Sequence, residues 1–301
     1  MRMWETDPML HTRRVLSLEG LEVADIACRH QRGRGVPEEA PMHGVGFVRR
    51  GCFVRSGENG EALLDPSAVF FVNPGDEQRY DHPHSGGDDC TAFFLDPELL
   101  ALLWGGDPAL PAEPLHIPSR LDLEHRLLLA EADKRGASVD EVGERAILFI
   151  ARVLEHSDPL RPQSGRPVTG SPRRALIDDA RESLAADPSQ SLLALARSLA
   201  VSPHHLSRLF RAVTGHTLSR HRMRLRVRAA LERLADGEHN LARLAADLDF
   251  ADHSHLCRVI RNETGSTPSS LRDALRVSVD PREMQGDDVE PTSPPQRIRP
   301  A

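Results

Sequence analysis

The sequence predicts an α+β chain of two domains: a β-rich unit with two trailing helices, then an all-α unit carrying two helix-turn-helix modules. Three observations predict it. Strand-length apolar runs bounded by turn residues occupy residues 15–118. Amphipathic helical spacing then takes over between Leu121 and His156. Finally, one helical pattern is written twice between Ser171 and Arg276.

Taken in order, the β-rich unit contains Cys52-Phe53-Val54, Val69-Phe70-Phe71-Val72 and Thr91-Ala92-Phe93-Phe94-Leu95, with Asn73-Pro74-Gly75-Asp76 as a turn signal. Two helical patterns follow, Leu121 to Lys134 and Val139 to His156. The second places Val142, Ala146, Phe149, Ile150 and Val153 on one face. That stripe either packs on its own domain or faces a partner subunit, and a homodimer is the favoured expectation because paired half-sites raise effective concentration. The proline- and glycine-bearing stretch 158–171 is expected to be a linker. The charged, proline-rich end, 278–301, has no periodicity and is expected to be disordered. The expected domains are therefore 1–157 and 172–277.

Composition narrows the function classes. No apolar run approaches the ~20 residues that span a bilayer. Met1 to Leu10 carries charge and proline where a signal peptide needs an apolar core, so a cytoplasmic protein without membrane contact is expected. Cys28, Cys52, Cys90 and Cys257 are scattered and expected to be reduced thiols. The net charge of −7 conceals a division. Between Ser171 and Arg276, 17 arginines face 12 acidic residues, a net of +5 that leaves −12 for the remainder. A basic segment joined to an acidic one suits a chain in which one domain meets phosphate.

The repeat supplies the chemistry. Leu206-Ser207-Arg208-Leu209-Phe210-Arg211 recurs 50 residues later as Leu256-Cys257-Arg258-Val259-Ile260-Arg261, and Thr214-Gly215 recurs as Thr264-Gly265. Upstream, Leu195-Ala196 recurs as Leu244-Ala245 with an offset of 49. Ser191, Asn240, Ser202 and Asp252 stand where helix N-caps belong, and Gly215 and Gly265 suit helix stops. At about 100° per residue, Leu206, Leu209, Phe210 and Val213 form one buried stripe, with His204, Ser207, Arg208 and Arg211 opposite. In the second copy the outward face carries Ser254, Cys257, Arg258 and Arg261. Neither face has a carboxylate, and donors at a helix N-terminus match guanine N7 and O6 and the flanking phosphates.

These stretches resemble the DNA-binding domain of the AraC/XylS family of bacterial regulators. The resemblance rests on Leu195-Ala196 through Phe210, Thr214-Gly215, and Phe250-Ala251-Asp252-His253-Ser254-His255-Leu256 through Pro268. It implies two helix-turn-helix units joined by a long helix at about Leu218 to Ala235. It implies base reading by His204, Ser207, Arg208, His253, Ser254, His255 and Arg258, with Arg211 and Arg261 on phosphate. Ala200 and Asp249 stand where the family often has glycine. The partners implied are promoter DNA and, for an activator, RNA polymerase. The same family often carries an N-terminal cupin-like β-barrel, which implies a sensor for a small-molecule effector, with no cofactor and no catalytic residue. The rival is a cupin-type metalloenzyme with a DNA-binding appendage, using His82, His84, Asp88, Asp89 and His43. The spacing departs from a metal cupin, so a solvated loop is the expectation for these histidines and no metal is assigned.

Overall fold

In the computed structural model the residues described are 9–29, 33, 35–58, 60–82, 87–105, 109–157 and 172–275. The expected linker 158–171, the expected tail 278–301 and His84 lie outside them.

Among the described residues, ten strands form two antiparallel sheets. The strands are β1 (Leu10–Leu18), β2 (Leu21–Cys28), β3 (Glu38–Glu39), β4 (His43–Gly51), β5 (Phe53–Gly57), β6 (Gly60–Leu64), β7 (Ala68–Val72), β8 (Glu77–Asp81), β9 (Asp88–Leu95) and β10 (Leu115–His116). One sheet runs β1-β2-β9-β4-β7-β10 and the other β3-β8-β5-β6. The sequence expectation of a β-rich unit holds, with a helix inside it that periodicity did not reveal: α1 (Pro97–Trp104), capped by the Asp96 carboxylate on the Leu99 N–H. The expected helices are α2 (Ser119–Ala132) and α3 (Val139–Ser157).

Strand β9 shows how the layers are built. It is buried along almost its whole length, because both of its faces are covered. Phe93 and Leu95 face the helices with Val45, Phe47, Phe149, Ile150 and Val153. Cys90 packs with Val48, Phe53, Leu64 and Ala68, and Ala92 and Phe94 join Ala24. Helices α1–α3 therefore cover one face of the large sheet and the small sheet covers the other. A Cβ on Gly46 would sit 2.2 Å from the ring of its cross-strand partner Phe70, which meets Phe53 and Tyr80 of the small sheet.

The apolar stripe of α3 is consumed by this core, since Val142, Ala146, Phe149, Ile150 and Val153 are at most 3% exposed. It packs on its own sheet and leaves Val139 and Leu148 as the exposed apolar residues of the helix. The stripe thus follows the intramolecular alternative.

The C-terminal unit is all helix: α4 (Pro172–Ala186), α5 (Leu192–Ser198), α6 (Pro203–Thr214), α7 (Leu218–Ala235), α8 (Leu241–Asp247), α9 (His253–Thr264) and α10 (Pro268–Leu275). It has two apolar cores. Ile177, Leu195, Leu206 and Phe210 build one around α4–α6, and Leu244, Leu256, Ile260 and Leu271 build the other around α8–α10. Helix α7 contributes Leu225 to the first and Val227, Leu231 and Leu234 to the second. Each such fully buried side chain stabilises its core by ~1.5–3 kcal/mol. The second core also takes in Leu123 of α2, so the N-terminal unit is packed into it.

Candidate nucleic-acid interface

The two modules repeat each other down to single hydrogen bonds. Ser191 caps α5 through the Ala194 N–H and Asn240 caps α8 through the Arg243 N–H. Both helices end in the same two bonds: Ala200 N–H to Arg197 O and Val201 N–H to Ala196 O in one, Asp249 N–H to Ala246 O and Phe250 N–H to Ala245 O in the other. That Schellman ending requires a left-handed residue. It falls on Ala200 (φ 53°) and Asp249 (φ 56°), the two non-glycine residues with positive φ among those described.

The outward helices are equally matched. Ser202 accepts from the His205 N–H and Asp252 from the His255 N–H, and Pro203 takes the first helical position of α6, where no N–H is needed. Gly215 and Gly265 end them at φ 76° and 82°. Thr214 and Thr264 return their hydroxyls to Phe210 O and Ile260 O, both at 2.7 Å. Leu206, Phe210, Leu256 and Ile260 are fully buried. Val213, placed in the buried stripe by its angle, is 42% exposed, because the stripe rotates off the core at the last turn.

On the opposite faces His204, Arg208, Arg211, His253, Ser254, Arg258 and Arg261 are exposed, and Ser207 is half-buried. Among the described residues no ion pair engages Arg208, Arg211, Arg258 or Arg261. His253 is exposed with its Nε2 3.5 Å from Cys257 Sγ. His255 is placed differently. Its Nδ1 accepts the Ala251 N–H at 3.2 Å and its ring meets Phe250, so this side chain completes the helix start instead of projecting outward.

Sequence reasoning missed what most of the other arginines do. Arg226 of α7 is buried and ties the modules together. Its Nε donates to Pro188 O (3.0 Å), and its Nη atoms donate to Ser189 O (3.3 Å), to Asp249 O (2.9 Å) and to the Asp249 carboxylate. The aspartate in the second left-handed turn is thus an anchor for Arg226, which glycine would not provide. The signal available in the sequence was an aspartate at a glycine position one repeat away from a neutral alanine.

Arg181 of α4 and Arg228 of α7 contact the N-terminal unit. Asp65, fully buried in the β6–β7 corner, receives Arg181 of α4 at 2.9 Å, stands 3.6 Å from His221 of α7, and accepts the Ser67 hydroxyl. Burial pushes this carboxyl up, but Arg181 and the facing histidines outweigh burial and hold it below the usual carboxylate range. Burial also lowers the histidines around it, His116 to about 4 and His221 to about 3. Further along, Arg126 of α2 pairs with Asp122 and with Glu232 of α7. The buried Arg228 of α7 donates to Ile117 O at 2.8 Å, and Ser119 donates to Glu263 of α9 at 3.0 Å. Beside these contacts, Arg13, Asp25, Arg49, Arg126, Glu232 and Asp236 line a cleft of about 660 Å³ between the large sheet, α2 and α7.

Of the described ligands weighed for the metalloenzyme rival, His82 and Asp88 meet, but His43 and Asp89 do not join them. His43 pairs with Leu95 at one end of β4 while Gly51 pairs with Asp88 at the other, so His43 lies ~25 Å from Asp88 at strand rise. Asp89 faces Arg29 at 2.7 Å. His82 is also not the solvated residue expected: it is buried, with Nε2 2.6 Å from the Asp88 carboxylate.

Comparison with known proteins gives three kinds of likeness. A family model described as a helix-turn-helix domain matches residues 195–274. The chain is 24% identical over 194 residues to the regulatory protein PocR of Salmonella typhimurium, an alignment spanning 62% of each chain. It is 24% identical over 250 residues to the HTH-type transcriptional activator RhaS of Escherichia fergusonii, spanning 79% of this chain and 87% of that one. Among solved structures, apo ToxT of Vibrio cholerae aligns over 86% of this chain and 99% of its own, at 9% identity and a TM-score of 0.40. No described helix is long and apolar enough to cross a membrane.

Proposed function

Residues 195–274 form an AraC-type helix-turn-helix domain, and from that premise we propose that the chain is a sequence-specific regulator of transcription that reads the major groove with α6 and α9. One observation carries the reading: two equivalent helices expose four arginines, unpaired among the described residues, whereas Arg226 and Arg228 of α7 are buried and bonded within the protein. His204, Ser207 and Arg208 of α6, with His253, Ser254 and Arg258 of α9, meet base edges near the helix N-termini. Arg211 and Arg261, a turn later, meet phosphate. His255 sets the start of α9.

Residues 1–157 form the sensing unit and 172–277 the DNA-binding unit, with a homodimer engaging paired half-sites. The effector is a small molecule or other signal, and RNA polymerase is the further partner if the chain activates. The signal enters at the cleft against α7.

The test uses DNA fragments selected by the purified chain from its genome of origin, followed by mobility shifts. Arg208→Ala and Arg258→Ala each weaken specific binding by ~1–3 kcal/mol and relax preference at one position. Arg211→Ala lowers affinity for all sequences and reduces the salt slope by about 1. Unchanged affinity and specificity in both Arg208 and Arg258 variants contradicts the assignment.

A further inference from the structure

We infer that the place where β2, β8 and β9 meet is a binding site for one borderline-soft divalent metal ion of the zinc class, held by Cys28, His82 and Asp88. The ligand atoms of these three residues lie within 4.8 Å of one another and all three residues are buried. Register brings two of them together: Cys28, last in β2, pairs with Asp88, first in β9. His82 follows β8 and is fixed by reciprocal backbone bonds with Gly33, at 3.0 and 3.1 Å. The donors therefore come from three backbone segments held by strand pairing or a backbone bridge. None of the three waits for a loop to close.

The donor set selects the ion. Calcium and magnesium take oxygen ligands, whereas one sulfur, one nitrogen and one oxygen suit zinc. Three protein ligands also leave a fourth tetrahedral position open. The outer contacts fit the same purpose. The Cys90 thiol donates to the second oxygen of Asp88 at 3.1 Å and fixes the carboxylate's rotation. Arg29 donates to the carbonyls of Cys28 (3.1 Å) and Asp88 (3.4 Å), holding the two strand ends side by side. The four cysteines are free of disulfides, so the Cys28 sulfur is available for coordination. This set differs from the one weighed on sequence grounds, because Cys28 enters only through the β2–β9 pairing. It is independent of the DNA-binding proposal.

The experiment uses the full chain, purified under reducing conditions and stripped with a chelator. It is titrated with Zn²⁺ against a chromogenic competitor, and separately with Co²⁺ under an optical spectrometer. One ion binds per chain, and the Co²⁺ form shows a thiolate-to-metal charge-transfer band. Cys28→Ser abolishes that band and, like His82→Gln, weakens Zn²⁺ binding at least ~10-fold. Cys90→Ala keeps the band and weakens binding ~10-fold, as loss of an outer partner does. Cys257→Ser changes neither. Failure of the wild-type chain to retain Zn²⁺ at equimolar concentration, or a Co²⁺ form without the thiolate band, overturns the site, and both readouts stand even if a variant does not fold. Wild-type affinity in folded Cys28→Ser and His82→Gln chains overturns it equally.

Discussion

The two left-handed turns allow a matched experiment. Ala200 and Asp249 occupy equivalent positions at φ 53° and 56°, but only Asp249 has a charged partner, Arg226. A left-handed alanine costs ~1–2 kcal/mol, and glycine gives back ~0.5–1 kcal/mol of that in chain entropy. Ala200→Gly should therefore stabilise the chain by about 1 kcal/mol. Asp249→Gly gains the same relief but loses the bond to Arg226. The Asp249 side chain is 62% exposed, so that pair is discounted to a surface value of up to ~1 kcal/mol and the net change is near zero. Replacing Arg226 with Ala leaves Asp249 only the longer Arg222 contact, at 3.9 Å, and in that background Asp249→Gly should stabilise by about 1 kcal/mol. The coupling between the two sites is then also about 1 kcal/mol in a double-mutant cycle. Urea unfolding followed by far-ultraviolet circular dichroism is the assay, because Trp4, Trp104 and Tyr80 all lie outside the helical unit. Equal stabilisation by the two glycine substitutions in the wild-type chain would refute the claim that Asp249 is retained as an anchor. No gain from Ala200→Gly would refute the strain argument itself.

Three further outcomes follow from the packing. Asp65→Ala leaves the buried Arg181 only the half-exposed Asp178 carboxylate, at 3.4 Å, and should destabilise the chain by up to ~3–5 kcal/mol, whereas a change under ~1 kcal/mol in the urea series would show the network idle. His116 and His221 are held neutral by burial, at about 4 and about 3, below their unfolded value of ~6.5. The unfolded chain then binds more protons at these two sites in the interval, so their contribution is full above pH ~6.5 and falls towards pH ~4, with His125, also lowered by burial, acting in the same sense and His82, raised to about 10 by Asp88, in the opposite sense. The depressed Asp65 carboxyl adds its loss only below pH ~4. Between pH 7 and pH 5 the urea midpoint of the chain carrying His116→Asn with His221→Asn should fall less than that of the wild-type chain; an equal change in both contradicts the account. Gly46→Ala drives a Cβ into the ring of its cross-strand partner Phe70 and should cost ~1–3 kcal/mol, so a neutral result would mean that the ring moves aside freely.

The repeat was legible because its determinants are local. Caps, left-handed stops and the apolar period of α6 and α9 each depend on residues within one or two turns. Periodicity likewise located α2 and α3 and the strands β5, β7 and β9. The opposite faces of α6 and α9 were also readable, since exposure follows from helical angle, with the exceptions of Val213 at a fraying turn and His255 bonded back to Ala251. Helix α1 escaped because its eight residues are too short to establish a period.

What the sequence by itself determined is therefore the pair of modules, the connecting helix and the cationic faces. Tertiary structure decided the partners of the remaining charges. Nothing near Asp65 in sequence points to Arg181, nothing near Asp122 points to Arg228, and Cys28 meets Asp88 only through strand register. Such pairs are set by which surfaces come to rest against each other, and a charge carries no local record of the distant group that will neutralise it. The same holds for the α3 stripe. An apolar face states that it must be covered, but only the packed sheet beneath it determines by what.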